Sequence, residues 1–177
     1  VAFNTVARHP SLRLAPLPEL YQQINLTLYE NIQERLAVKS LTRNDFAAMY
    51  MTFKLYRLDP SGRLEIFGAD HVEPFICRAH SGEIISIPSQ GFLLGVLDDA
   101  IRGKDSLIYQ LFPGDLLVFF SDGISEAKNE PKLRIEGKNK KNFMFGETKI
   151  HELISAHRHL CPDTLINTIL DAVHDFM

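Results

Sequence analysis

The middle of the sequence is a series of short apolar runs, each separated from the next by a turn sequence. Asp59-Pro60-Ser61-Gly62 is typical of these turns, because its proline presets one backbone dihedral and its glycine supplies another. The runs occupy residues 49–58, 63–69, 75–78, 83–87, 107–111 and 116–120. Because strands joined by tight turns run antiparallel, the series predicts an antiparallel sheet architecture.

The last run, residues 116–120, is apolar at every position instead of alternating. An unalternating run is typical of a strand buried on both faces. Two antiparallel sheets packed face to face as a sandwich would provide such a position. We therefore expect residues 116–120 to be buried on both sides.

Helical patterns flank the strands. Apolar residues recur every four positions after Pro18, at Leu20, Ile24, Leu28, Ile32 and Leu36, which predicts a core-facing helix. Residues 150–156 predict a short helix, residues 165–176 a longer one begun by Pro162, and residues 1–9 the end of an earlier helix. The order predicts an α+β fold with helices on the outer faces of two antiparallel sheets.

Size and charge favour one cytoplasmic domain spanning residues 1–177. The 177 residues are 45% hydrophobic, and a net charge of -3 gives no broad attraction to nucleic acid or to an anionic membrane. No apolar stretch approaches the ~20 residues that cross a bilayer, and no leader opens the chain. Cys77 and Cys161 lie in no metal or redox spacing, so we expect reduced, partly buried thiols.

Asp122 is the strongest candidate for chemistry. It follows the apolar run 116–120 and precedes Gly123, so a carboxylate projects from the end of a strand where backbone carbonyls can turn toward the same point. Oxygen ligands of this kind suit Mg²⁺ or Mn²⁺. The alternative is an ordinary strand-ending turn.

Other polar residues have simpler explanations. Asp98-Asp99 could hold a divalent ion, but helix capping or solvation accounts for the pair in its polar connection. His71 lies between two predicted strands, whereas the C-terminal histidines are expected on the surface; these are His151, His157, His159 and His174. Five basic residues within 132–141 predict a solvated loop or, alternatively, a docking loop for an acidic or phosphorylated partner.

Six short motifs occur in an order and spacing that resemble the SpoIIE-type branch of the PPM (protein phosphatase 2C-like) serine/threonine phosphatases. They are Met51-Thr52-Phe53 with Leu58-Asp59, Gly68-Ala69-Asp70-His71 with Pro74, Gly91-Phe92-Leu93-Leu94-Gly95-Val96, Pro113-Gly114-Asp115, Ser121-Asp122-Gly123-Ile124-Ser125-Glu126-Ala127, and Phe145-Gly146.

The resemblance implies a metal-dependent phosphoprotein phosphatase, a phosphoric monoester hydrolase, in bacterial signalling. Its substrate would be a phosphorylated protein, often an anti-anti-sigma factor of the STAS type. Asp122, with Gly123, would belong to a dinuclear Mn²⁺ or Mg²⁺ centre, and residues 91–95 to a segment over the site that helps switch these enzymes. A metal-activated water would attack phosphorus, so no catalytic side chain is expected.

The match is partial. The family's first metal-binding element should precede Pro18 and its last, an Asp-Asp on a final strand, should follow the helix that contains Leu165; neither is present. We therefore expect a domain truncated at both ends, without its first and last strands, whose exposed edges either pair with a second copy or are covered by the missing segments. The alternatives are a catalytically inactive relative that binds or signals and an unrelated β-rich binding module.

Overall fold

The computed structural model describes residues 14–39, 50–129 and 143–177. The predicted helix at residues 1–9 and the basic segment 132–141 lie outside the described residues, as does the side chain of Leu36. The chain divides into two compact units, Val1–His71 with Ser89–Leu111 and Val72–Pro88 with Phe112–Met177.

The described residues of the first unit combine one long helix with a three-stranded antiparallel sheet. Helix α1 spans Leu17–Lys39, and the strands are β1 (Phe53–Leu58), β2 (Arg63–Ala69) and β5 (Leu107–Gln110) in the order β1-β2-β5. The predicted apolar stripe on α1 is confirmed, because Leu20, Ile24 and Ile32 are buried. Tyr21 of α1 packs its ring edge-on against Phe67 of β2 with centroids 5.2 Å apart, which seats the helix on the sheet.

The centre of this sheet needs a glycine. Gly68 on β2 has a φ of +128°, and a Cβ there would approach the carbonyl oxygen of Phe53 to 2.3 Å. Its N–H and C=O also exchange hydrogen bonds with Gln90. Gly68 of the Gly68-Ala69-Asp70-His71 motif therefore has a structural role, since a side chain would break this close approach.

The second unit has its own sheet, helices and core. The strands are β3 (Phe75–Cys77), β4 (Ile84–Ser86) and β6 (Leu116–Val118) in the order β4-β3-β6, all antiparallel. The part of this unit that the structure describes has three helices after them, α2 (Asp122–Ser125), α3 (Glu147–His157) and α4 (Pro162–Phe176). Phe75 and Cys77 form a core with Phe145, Ile150 of α3 and Leu165 of α4, among others.

The predicted α+β class, with two antiparallel sheets and helices, is confirmed. The predicted burial of residues 116–120 on both sides is wrong. Leu116, Leu117 and Val118 are only partly buried, and Phe119 keeps 55% of its surface exposed. The physical reason is that β6 is the edge strand of its sheet and pairs with β3 alone among the described strands.

Candidate metal-binding site

Asp122 is presented on a short helical turn directly after the apolar run. Helix α2 begins at Asp122, and Ser121 before it has an extended backbone (φ -101°, ψ 162°). Ser121, Asp122 and Gly123 are all exposed. The carboxylate therefore projects into solvent from the end of a sheet, as the sequence predicts.

Gly123, which follows Asp122, does not have the special backbone conformation that the sequence suggests. Gly123 lies within α2 and is not among the glycines with positive φ. A Cβ at this position would meet Ser121 Oγ at 3.5 Å, which is an ordinary contact. Participation of Gly123 in a metal site remains a prediction, as does that of Asp122.

Backbone hydrogen bonds hold the turn that carries Asp122. The carbonyl of Asp122 accepts from the N–H of Glu126 at 2.7 Å, and that of Ser121 from Ile124 at 3.0 Å. The Gly146 N–H donates to Ser125 O at 2.8 Å. Two of the sequence motifs, 121–127 and Phe145-Gly146, are therefore in direct contact.

A divalent centre needs more ligands than the described residues bring together. Within residues 14–39, 50–129 and 143–177, no three His, Cys, Asp or Glu side chains converge as a metal-binding group. One exposed carboxylate binds a divalent ion weakly and cannot fix two. The described residues thus fit a single ligand and do not fit a dinuclear centre.

The Pro113-Gly114-Asp115 motif proves to be structural. Asp115 Oδ2 lies 2.6 Å from Arg78 Nη1, and its carboxylate also accepts from the backbone N–H groups of Ala79 and Phe112. Only 2% of its side chain is exposed. Burial alone raises the pKa of Asp115, but these hydrogen bonds and the Arg78 charge outweigh it and lower the pKa. The pair fixes the turn from which β6 leads toward Asp122.

Asp98 and Asp99 act as turn caps. Asp99 Oδ1 accepts from the N–H groups of Ile101 and Arg102 at 3.1 and 2.9 Å, and Asp98 Oδ1 accepts from Asp99 N–H at 2.9 Å. The expected helix capping is wrong, since residues 98–103 form bends and turns; both aspartates are exposed and bond the backbone of a turn. These bonds also support Arg102, whose φ of +44° is rare for a residue with a side chain.

The loop that contains residues 91–95 is anchored to α1. Asn25, fully buried, donates to Leu97 O at 2.8 Å and accepts from Gly95 N–H at 2.9 Å. Tyr21 Oη donates to Phe92 O at 2.6 Å, and Gln22 Oε1 accepts from Ala100 N–H at 2.9 Å. Sequence reasoning missed Asn25, although a small amide beside Ile24 on an apolar helix face is the signal for such an anchor.

The histidines and cysteines differ in exposure. His71 is exposed, with its ring 6.3 Å from that of Tyr50. His151 is partly buried, because its ring packs 4.5 Å from that of Phe75, and burial lowers its pKa. Cys77 is buried but Cys161 is exposed, so the expectation of two partly buried thiols is wrong for both; each is free.

Comparisons with known proteins agree with the motifs. The family model described as Stage II sporulation protein E (SpoIIE) matches residues 1–177. No curated protein and no solved structure matches the chain. No helix among the described residues is long and apolar enough to span a bilayer.

Proposed function

The chain belongs to the SpoIIE family, whose domain is of the PPM phosphatase type, and from this membership we propose that residues 1–177 are one metal-dependent protein serine/threonine phosphatase domain. The observation that carries the proposal is the exposed Asp122, held on a rigid turn at the end of a sheet inside a matching family motif. The alternative of an unrelated β-rich module is excluded by the family match.

In this proposal Asp122 supplies one carboxylate ligand to a Mn²⁺ or Mg²⁺ site, with Gly123 beside it. The substrate is a phosphorylated protein, a STAS-type anti-anti-sigma factor in bacterial signalling, and the enzyme acts in the cytoplasm. The turn contributes by positioning the Asp122 carboxylate, because a carboxylate that is already in place binds the ion without reorganisation of the backbone. Hydrogen bonds from Ile124 and Glu126 to the carbonyls of Ser121 and Asp122 support that placement.

Release of phosphate from a phosphorylated STAS-domain protein, measured with Mn²⁺ present, tests the proposal. We expect Asp122→Asn to lower the rate by about a hundredfold or more, because the substitution weakens binding of the cation that stabilises the charge on the transition state. Asp98→Asn is the matched control, because Asp98 is an exposed aspartate that caps a turn.

Equal rates for Asp122→Asn and the unmodified protein would contradict the proposal. No release by either, together with retained binding of the phosphorylated protein, would instead favour the second candidate function, a catalytically inactive domain that binds or signals. The observation that favours this second candidate is the absence of a group of three metal-binding side chains in the described residues.

The proposal includes self-association through the edge of the second sheet. A groove of about 490 Å³ runs beside β6. Every residue that lines it is apolar; they come from β6, from Phe119 and Phe120 after it, and from α2, α3 and α4. Phe119, Ile166 and Leu170 are exposed in it. An edge strand without charged residues pairs readily with another strand, and a second copy offers the same uncharged edge.

A further inference from the structure

The segment around Phe145-Gly146 touches the turn of Asp122 at several points. Beyond the bond from Gly146 N–H to Ser125 O, the Phe145 N–H donates to Ala127 O at 2.8 Å, and Lys128 and Met144 form an antiparallel bridge. Ser125, Ala127 and Phe145 are buried. A short ladder of backbone hydrogen bonds therefore holds the C-terminal side of the turn.

Gly146 has a backbone conformation that only glycine adopts readily. Its φ is 82° and its ψ is 154°, a region that is essentially restricted to glycine. Steric crowding does not explain why position 146 is glycine, since the nearest atom to a Cβ added there would be Met144 O at 4.0 Å. Conformation alone thus demands glycine where the chain passes from the ladder into α3.

The same ladder is tied to the end of α4. Asn129 is held at two points, because its N–H donates to Phe143 O at 2.9 Å while its side-chain amide donates to Phe176 O at 2.5 Å. The Phe176 ring packs against Phe145 with centroids 5.5 Å apart. A continuous set of contacts thus runs from the last turn of α4 to the turn of Asp122.

We infer that Gly146 and Asn129 are positioning residues that fix the Asp122 turn through this ladder, with the end of α4 as its support. The inference rests on the proposed role of Asp122 as a ligand. Gly146 acts through its hydrogen bond to Ser125, and Asn129 acts through Phe143 at the far end of the same ladder.

Hydrogen exchange of the backbone amides of Ile124 and Glu126 tests the inference, together with the carboxyl ¹³C resonance of Asp122. We expect Gly146→Ala to speed exchange at both amides by about tenfold or more, because a strained backbone opens more often. The Asp122 resonance should move as well. Asn129→Asp, which removes the amide donor to Phe176, should have the same effects at smaller size.

Gly103→Ala is the control, since Gly103 also has positive φ (+67°) and no atom within 4 Å of its Cβ position. It should leave both signals unchanged. The inference is overturned if Gly146→Ala and Asn129→Asp leave both signals as they are, or if exchange rises equally throughout α4, which would indicate general destabilisation. Neither measurement uses metal or substrate, so failure of the phosphatase proposal would show in the phosphate assay and not here.

Discussion

At the scale of single residues, the aspartates of this chain owe their different roles to their surroundings. Asp115 is buried against Arg78 and two backbone N–H groups, whereas Asp122 is exposed on a turn. Asp115 precedes the apolar run 116–120, and Asp122 comes after it. Sequence motifs therefore mark both a residue that holds the scaffold and a residue that is available for chemistry.

Asp115→Asn should destabilise the protein at neutral pH by about 3 kcal/mol, because it removes the buried carboxylate charge that pairs with Arg78. The pKa of Asp115 is lowered on folding, so its stabilisation is complete above the unfolded value near ~4 and is lost as pH falls through the folded value. Urea unfolding at a series of pH values should show the difference between the two proteins shrinking below about pH 4.

Asp105→Asn, which changes an exposed aspartate, is the control for net charge and should alter stability by about 0.5 kcal/mol or less. A difference between Asp115→Asn and the unmodified protein that stayed constant down to low pH would show that the ion pair is not the source of the stability.

At the scale of elements, the sequence predicted the features that depend on residues close together in the chain. Turn residues at 59–62 and 112–115 and the apolar spacing on α1 gave strands and a helix close to their observed bounds. The burial of 116–120 was wrong because position within a sheet is decided by distant strands, and β6 lies at an edge. The contact of Phe145-Gly146 with the Asp122 turn was missed for a similar reason, and the helix was predicted from residue 150, whereas it begins at Glu147 directly after Gly146.

The anchoring of the 91–100 loop by α1 also belongs to this scale. Asn25→Ala should lower the free energy of unfolding by about 2–4 kcal/mol, because it leaves the Gly95 N–H and the Leu97 carbonyl without their buried partner. Urea unfolding measures the loss, and hydrogen exchange at Gly95 locates it. Thr27→Ala, on the exposed side of α1, is the control and should change stability by about 0.5 kcal/mol or less. Equal effects of the two substitutions would contradict the claim that Asn25 anchors the loop.

At the scale of the whole molecule, the family match and the fold class agree, while the candidate site is only partly assembled by the described residues. The motifs predicted Asp122 at the end of a strand because strand, acid and glycine are adjacent in sequence. Further ligands could not be located, since a metal site draws on residues far apart in the chain.

Self-association is the prediction at this scale. Light scattering at micromolar concentration should give twice the mass of the chain, and Phe119→Lys should restore the single mass, because a charge on an exposed edge prevents pairing. His159→Lys, an exposed position outside the groove, is the control. A single mass for the unmodified chain would rule out the second copy as the occupant of the groove.

The central claim, that Asp122 is a metal ligand, is tested most directly by nuclear magnetic resonance of the chain during titration with Mn²⁺. The ion's paramagnetism should broaden the amide signals of Gly123 and Ile124 at about millimolar Mn²⁺, the range expected for few ligands. Asp122→Asn should abolish that broadening, and Asp98→Asn should leave it intact. Broadening that is missing at Gly123 and Ile124, or that persists unchanged in Asp122→Asn, would contradict the claim.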